Sequence, residues 1–322
     1  MASPTPKSRS TSRPQPHKPS SKPSQRVPAS GNDAREVVDP IWLLKAVGLT
    51  ILAAFICGYL TLCLLFYQGQ WQLVLHPTRS TPAPATIAGQ TYQTIHFGID
   101  ETATPQLTGW LIPADASARY AAYTLLYLPS GDGALADATA TLSDLHDIGI
   151  NVFAFDYRGY GQSAPTRPNE LRMTADAASA WEYLTVSRAL PASHIVVFGD
   201  GVGASLAAHL GAIHPEVPAV ILQSPVPEVI QAVLADPRTG SLPVHLLFNE
   251  RFEVASTASK LQTPKLFLLN MDLKSPAASD AAVAALTNAA STPKMLSSLH
   301  AAEMHGSIYR EQIVRFLDQH LR

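Results

Sequence analysis

The sequence predicts an α/β fold with a mostly parallel eight-stranded sheet, flanked by helices and preceded by one transmembrane helix. The first observation behind this prediction is an uncharged apolar run at 46–67. The second is the alternation of short apolar runs with helical periodicity from about residue 90 onward. The third is a turn of small residues at 199–203, between an apolar run and an Ala-rich helix.

The apolar run at 46–67 has the length and the flanks of a membrane anchor. Its 22 uncharged residues, at about 1.5 Å each in a helix, span a hydrocarbon core of about 30 Å. Trp42 lies before the run, and Tyr67 and Trp71 lie at or beyond its end, where interfacial aromatic side chains are expected. A core helix would have a polar stripe and a signal peptide would have a small-residue cleavage site, and the run has neither. We therefore expect an uncleaved anchor helix at 41–68.

The segment before the anchor predicts how the chain is oriented in the membrane. Residues 1–40 are rich in Pro, Ser and basic residues, so we expect a disordered tail, with a Pro-rich ligand for a partner domain as the alternative. Residues 1–45 hold eight Lys or Arg and three Asp or Glu. The positive-inside rule then places the N-terminus in the cytoplasm and the globular part on the extracytoplasmic side. The net charge of −2 gives no reason to expect nucleic acid as a partner.

Beyond the anchor, residues 72–322 are predicted to form one α/β domain. Eight short apolar runs are typical of strands: 91–97, 107–112, 122–128, 149–156, 194–199, 218–223, 265–270 and 294–299. Five segments have helical periodicity: 135–147, 170–187, 203–213, 278–289 and 307–321. Several strands in succession, followed by strand–helix alternation, indicate an antiparallel start and a parallel remainder. Residues 225–262 interrupt the alternation and are a candidate lid over one end of the sheet.

The turn at 199–203 is the main candidate for a functional site. A tight strand-to-helix turn needs small residues two positions before and two positions after its apex, because larger side chains would collide there. Gly199 and Gly203 occupy these two positions, which puts Gly201 at the apex. In a nucleophile elbow of the form G-x-S-x-G the apex is the serine. Here the apex residue has no side chain.

Several ordered motifs carry a resemblance to a known family. They are LVLHP (73–77), GWLIP (109–113), FDYRGYGQS (155–163), ILQSP (221–225), LPVHLLFNERFE (242–253) and TPKLFLLNMD (263–272). With the turn at 199–203, they make the chain resemble the α/β-hydrolase superfamily from about Gln72 to Arg322. Within it, the chain is similar to the membrane-anchored serine hydrolases called α/β-hydrolase-domain-containing proteins. The resemblance implies an α/β-hydrolase fold and hydrolysis of ester, thioester or other acyl bonds.

The resemblance also implies a catalytic acid and a catalytic histidine. Asp272 follows a predicted strand and stands four residues before Pro276, as the family acid does before its Val-Pro. His305, before the C-terminal helix, matches the catalytic histidine, and His300 is a weaker rival near the end of the last predicted strand. The chain order of elbow, acid and histidine is that of the family. We therefore expect Asp272 to hold His305 in a catalytic pair.

The loop that would hold an oxyanion departs from the family pattern. Where the family has His-Gly-Asn, this chain has Pro129-Ser130-Gly131, followed by Asp132. Ser130, Gly131 and the N–H of Val202 are the candidate oxyanion donors. A carboxylate at position 132 would oppose an oxyanion if it pointed inward. The altered loop therefore adds to the reasons for expecting altered chemistry.

Gly201 cannot give up a proton to His305, so the residues favour a catalytically degenerate member that binds a ligand or a partner. Three active alternatives stay open. Asp200 could act as the nucleophile, Ser205 could do so from one helical turn beyond the apex, or Asp272 and His305 could activate water. We expect no cofactor, and no Cys/His cluster has metal-ligand spacing. The expected partners are the lipid bilayer and a small acyl or ester ligand.

Overall fold

The computed structural model of the chain describes residues 39–79, 81–99, 102–273 and 275–321. Apart from residues 39 and 40, the tail predicted at 1–40 lies outside the described residues. The chain divides into two compact units, Met1–Ala54 and Phe55–Arg322. The described part of the first unit is the beginning of a helix. There the Asp39 carboxylate accepts a hydrogen bond from the N–H of Ile41 at 2.9 Å, as an acidic cap does at a helix N-terminus.

Helix α1 (Pro40–Gly69) contains the whole apolar run at 46–67. The helix begins more than one turn before the first residue of the run, and a 3₁₀ turn (Gln70–Leu73) follows its last residue. Most of its large apolar side chains are exposed. Within the described residues it is the one helix long and apolar enough to cross a membrane.

Within the described residues, eight strands form one sheet, and the predicted fold class is confirmed. The strands are β1 (Gln93–Ile99), β2 (Pro105–Ile112), β3 (Tyr120–Leu128), β4 (Ile150–Asp156), β5 (Ile195–Asp200), β6 (Val220–Gln223), β7 (Lys265–Asn270) and β8 (Lys294–Leu299). Their order is β1-β2-β4-β3-β5-β6-β7-β8. Strand β2 pairs antiparallel with β1 and β4, and every other pairing is parallel. Each strand begins and ends within two residues of its prediction.

The helices that follow complete the two layers around the sheet. They are α2 (Thr139–Asp147), α3 (Glu170–Glu182), α4 (Gly203–Ile213), α5 (Val229–Leu234), α6 (Val244–Leu247), α7 (Val254–Lys260), α8 (Asp280–Ala289) and α9 (Ser307–His320). The five predicted helices match α2, α3, α4, α8 and α9, with short 3₁₀ or π turns at some ends. The short helices α5, α6 and α7 lie within residues 225–262, the candidate lid segment.

Strand β5 lies at the centre of the core, and its residues from Ile195 to Gly199 are buried. Helices α3, α4 and α7 pack on one face of the sheet, and α2 and α9 pack on the other. Small residues let α4 approach the sheet closely: a Cβ on Gly211 would lie 2.7 Å from Val220 Cγ2. Because β3, β5 and β6 pair parallel, their carboxyl ends meet at one edge of the sheet, where open α/β sheets place their ligand sites.

Candidate active site

The turn between β5 and α4 has the geometry of a nucleophile elbow. Gly201 has a φ of +55°, in the left-handed region that side chains disfavour. A Cβ on Gly199 would lie 2.2 Å from the carbonyl oxygen of Gly203, and a Cβ on Gly203 would lie 2.3 Å from that of Leu128. Only glycine fits at these two positions. The close approach explains the small-residue spacing and puts Gly201 at the apex.

Ser130 lies directly against this apex. A Cβ built on Gly201 would lie 3.0 Å from Ser130 Cβ and 3.3 Å from Ser130 O, which is tighter than ordinary van der Waals contact. A side chain at position 201 therefore requires Ser130 to shift by a few tenths of an ångström. The space above the apex is partly occupied by the loop that would supply oxyanion donors.

The oxyanion loop is held in place by two other segments. The Gly131 carbonyl accepts hydrogen bonds from the Tyr160 hydroxyl and from the His76 N–H, both at 2.9 Å. The Asp132 carboxylate bonds His76 Nδ1 at 2.6 Å, and both side chains are mostly exposed. Among the hydrogen bonds of the described residues, none uses the N–H of Val202. The backbone donor that follows the apex is thus still available, and the carboxylate at 132 has a partner of its own.

His305 is held by a carboxylate that the sequence did not identify. Asp144, on α2, is buried, and its Oδ2 lies 3.1 Å from His305 Nδ1. The same carboxylate accepts from the Gly306 N–H at 3.1 Å and from Arg310 Nη1 at 2.7 Å. Three donors around one buried carboxylate fix the orientation of the imidazole. Asp144 therefore holds the Nδ1 side of the His305 ring, as an acid does in a catalytic triad.

Asp272 is paired with the rival histidine. Its Oδ1 lies 3.2 Å from His300 Nδ1, and its Oδ2 accepts from the Ala301 N–H at 2.8 Å. Both side chains are more than half exposed. The hydrogen bonds of the described residues thus divide the expected Asp272–His305 pair into two separate pairs. The reason is the turn after β8: the Glu303 carboxylate caps the His300 N–H at 2.9 Å, and this turn separates the two histidines.

A polar network at the carboxyl end of β5 links the elbow to the helix that follows His305. The Tyr127 hydroxyl donates to Asp200 Oδ2 at 3.4 Å, and the Tyr309 hydroxyl donates to Gln223 Oε1 at 2.6 Å. The Gly201 N–H donates to the Gln223 carbonyl at 3.0 Å. The rings of His305 and Tyr309 are 6.2 Å apart.

Burial is the main influence on the ionisation of this network. The pKa of Asp200 is raised to about 6, mainly by burial and also by the charge of Asp132, although hydrogen bonds from Gln223, Tyr127 and the Gly201 N–H act in the opposite direction. Burial also raises the pKa of Tyr127 and of Tyr309. Asp200 therefore takes up a proton far more readily than an exposed aspartate does.

Ser205, the other alternative nucleophile, lines a different cleft. It is buried on the first turn of α4, and the cleft of ≈ 360 Å³ also contains Glu170, His209 and Arg251. This cleft is formed with α3 and α7, on the face of the sheet opposite to α2. Within the described residues no hydrogen bond joins Ser205 to His305, so the structure does not bring these two residues together. The described residues also contain no group of three or more His, Cys, Asp or Glu placed to hold a metal ion.

The sequence contained a signal for Asp144 that periodicity alone did not reveal. Asp144 lies on the buried face of α2, beside Leu142 and Leu145. A carboxylate on an apolar helix face is expensive to bury unless it is paired, so its position indicates a partner across the core. Its partners, however, lie more than 160 residues away.

Comparison with known sequences gives a family model and several distant relatives. The model described as serine aminopeptidase, S33 matches residues 135–294. The chain is 34% identical over 120 residues to an uncharacterized protein of Mycobacterium tuberculosis, covering 37% of this chain and 41% of that protein. It is 33% identical over 89 residues to α/β hydrolase domain-containing protein 17B of Xenopus laevis, covering 28% of this chain and 30% of that protein. The matched part is thus less than half of the length of these curated relatives.

Comparison with solved structures gives the same fold over most of the chain. An esterase of Pyrococcus furiosus is similar, with a TM-score of 0.62 and 17% identity, over 77% of this chain and 98% of that chain. A soluble variant of monoglyceride lipase from Saccharomyces cerevisiae has a TM-score of 0.53 and 14% identity, over 74% of this chain and 98% of that chain. The family model, the shared fold and the relatives together show that the chain belongs to the α/β-hydrolase superfamily.

Proposed function

We propose that this chain is a membrane-anchored α/β-hydrolase-fold protein that binds an acyl or ester ligand without forming a covalent intermediate at its elbow. The observation that carries the proposal is the apex at Gly201, which has no side chain and lies against Ser130. Acyl transfer needs a nucleophile that gives its proton to the histidine, and glycine has none to give. We take the ligand class from the superfamily, because the similar solved structures include an esterase and a lipase.

The proposed anchor is α1, with the N-terminus in the cytoplasm and the domain on the extracytoplasmic side. The support is the apolar character of the helix and the basic residues that precede it: eight Lys or Arg within residues 1–45. The lipid bilayer is thus the first partner in this proposal.

We expect the wild-type chain to give no labelling with a fluorophosphonate probe, because the probe reacts with an activated serine at the elbow. Gly201→Ser is expected to gain labelling. The double variant Gly201→Ser/Ser130→Gly is expected to label faster, because removal of the Ser130 Cβ relieves the 3.0 Å contact at the apex. The measurement is in-gel fluorescence of the full-length chain in detergent.

The control variant adds Ser205→Ala to Gly201→Ser. Its labelling should equal that of Gly201→Ser, since Ser205 lines a separate cleft. Strong labelling of the wild type would contradict the proposed function. If that labelling disappeared in Ser205→Ala, the reactive group would be Ser205.

A second candidate function is hydrolysis by activated water, which the Asp144–His305 pair favours. Removal of a triad member from a well-studied protease leaves roughly 10³–10⁴-fold catalysis over water. If this function holds, hydrolysis of a p-nitrophenyl acyl ester is lost in His305→Ala and reduced in Asp144→Ala. It is kept in Asp272→Ala, whose partner is His300. Asp200→Asn loses turnover only if that aspartate is the nucleophile. Equal inertness of the wild type and His305→Ala excludes this candidate.

A further inference from the structure

We propose that residues 239–249, which we call the Leu246 segment, lie in membrane lipid beside α1 and form a second membrane contact. This inference rests on the proposed function, because it needs α1 to be the anchor. It goes beyond that proposal by assigning a lipid-binding surface to the globular domain itself.

The composition of the Leu246 segment suits a lipid environment. Its eleven residues contain no Asp, Glu, Lys or Arg, and charged residues begin at its two flanks, with Arg238 before it and Glu250 after it. Transfer of such a segment into lipid leaves no Asp, Glu, Lys or Arg side chain without water, and His245 is its one ionisable side chain.

Contacts with α1 fix the level of the Leu246 segment along that helix. The Tyr59 hydroxyl donates to the Ser241 carbonyl at 3.3 Å. Gln70 Nε2 donates to the Leu247 carbonyl at 3.1 Å, and Gln70 Oε1 accepts from the Asn249 N–H at 2.7 Å. Tyr59 precedes Gln70 by eleven residues, which corresponds to about 16 Å along a helix. The segment therefore runs beside the last turns of the apolar helix and reaches a level well inside the apolar run.

The short helix α6, within the Leu246 segment, presents one face to the protein and one face outward. Val244 and Phe248 are buried in the domain core. Leu246 is 80% exposed, and Leu247 is half-buried. A single exposed leucine is common on protein surfaces. This one stands on the same segment that contacts the anchor, and the exposed His245 beside it is the one ionisable side chain of the segment.

Most backbone N–H groups of the Leu246 segment already have hydrogen-bond acceptors, which lowers the cost of placing them in lipid. The Leu246 N–H bonds the Pro243 carbonyl at 2.9 Å, and the Phe248 N–H bonds the Val244 carbonyl at 2.8 Å. The Leu242 N–H bonds the Thr239 carbonyl at 2.9 Å. Insertion into lipid would therefore leave these donors paired. The contacts with α1, the absence of Asp, Glu, Lys and Arg and the paired N–H groups together favour lipid over a protein partner.

The test measures how accessible a spin label is at position 246 of the full-length chain in lipid nanodiscs. Leu246→Cys is made in a Cys57→Ser/Cys63→Ser background, and collision with oxygen is compared with collision with a water-soluble nickel complex. Oxygen concentrates in lipid, so the proposal predicts that oxygen collisions exceed nickel collisions at 246. The matched control is Val186→Cys, which is 70% exposed and lies in the π-helical turn (Tyr183–Ser187) that follows α3. There nickel collisions should dominate.

A label on native Cys57, with Cys63→Ser, reports on the anchor by itself. If position 57 is lipid-exposed and position 246 is water-exposed, the proposed lipid contact is overturned while the anchor stands. If both positions are water-exposed, the anchor fails and the lipid contact fails with it. If position 246 is shielded from both reagents, a second copy or another protein covers it, and the proposal is again overturned.

Discussion

Gly203→Ala is expected to destabilise the chain by about 4 kcal/mol, a cost at the upper end for overpacking a core. A Cβ at this position would lie 2.3 Å from the carbonyl oxygen of Leu128 and 2.5 Å from that of Pro129. Both atoms belong to the backbone at the end of β3, so no side-chain rotation can relieve the collision. Either the strand end or α4 must move, and both are buried.

Thermal unfolding of the full-length chain in detergent, followed by circular dichroism, measures this effect. For a domain of this size a loss of 4 kcal/mol corresponds to a fall in Tm of roughly 8–16 °C. Gly240→Ala is the control, because its φ is −58° and the nearest atom to a new Cβ is Pro237 O at 3.7 Å. That variant should unfold within about 0.5 kcal/mol of the wild type. An unchanged Tm for Gly203→Ala would show that the turn is not as tightly packed as its geometry indicates.

The fold was predictable because its signals are local. The sequences of strands β5 and β7 are almost continuous apolar runs, because both faces of each strand are buried between helix layers. Residues 199–203 were predictable for a similar reason, because a sharp turn imposes small residues at fixed spacing. In both cases the information lies within about ten residues, so periodicity and turn chemistry are sufficient.

The pairing of the histidines was not predictable in the same way. His305 and Asp144 are 161 positions apart, and their contact depends on how α2 and the loop before α9 are placed on the sheet. Asp272 matched the acid of the family by its distance from Pro276. Its side chain nevertheless bonds His300, because the turn after β8 brings that histidine nearer. Motif spacing identifies candidate residues, whereas their partners are decided by packing between distant elements.

The position of Ser130 illustrates the same limit at the apex. Its match to the oxyanion loop of the family identified it as a candidate oxyanion donor. No motif or periodicity indicated that its Cβ would occupy space beside the apex. That contact depends on Tyr160 and His76, which hold the Gly131 carbonyl from two different segments. The reactivity of a serine placed at position 201 therefore depends on whether this loop can move away from it.

The stability of the folded chain is expected to fall as the pH rises through about 6, and Asp200→Asn should remove this part of the pH dependence. The pKa of Asp200 in the folded chain is about 6, against an ordinary value of 3.8, because burial disfavours the charged carboxylate. A group whose folded pKa is raised contributes its full stability below the unfolded pKa and loses it as the pH passes the folded pKa. The rise from 3.8 to about 6 corresponds to about 3 kcal/mol.

The measurement compares the free energies of unfolding of the wild type and Asp200→Asn at several values between pH 4 and pH 8. The difference between the two chains should shift in favour of the variant by roughly 2–3 kcal/mol across this range, mostly between pH 4 and pH 6. Asp156 and Asp176 also have raised pKa values, but both chains contain them, so their contributions cancel in the difference. Asp132→Asn is the control: it removes the neighbouring charge and should lower the pH of the transition without abolishing it. A difference that stays constant with pH would mean that Asp200 is ionised at little cost, and that the elbow is more open to water than its packing indicates.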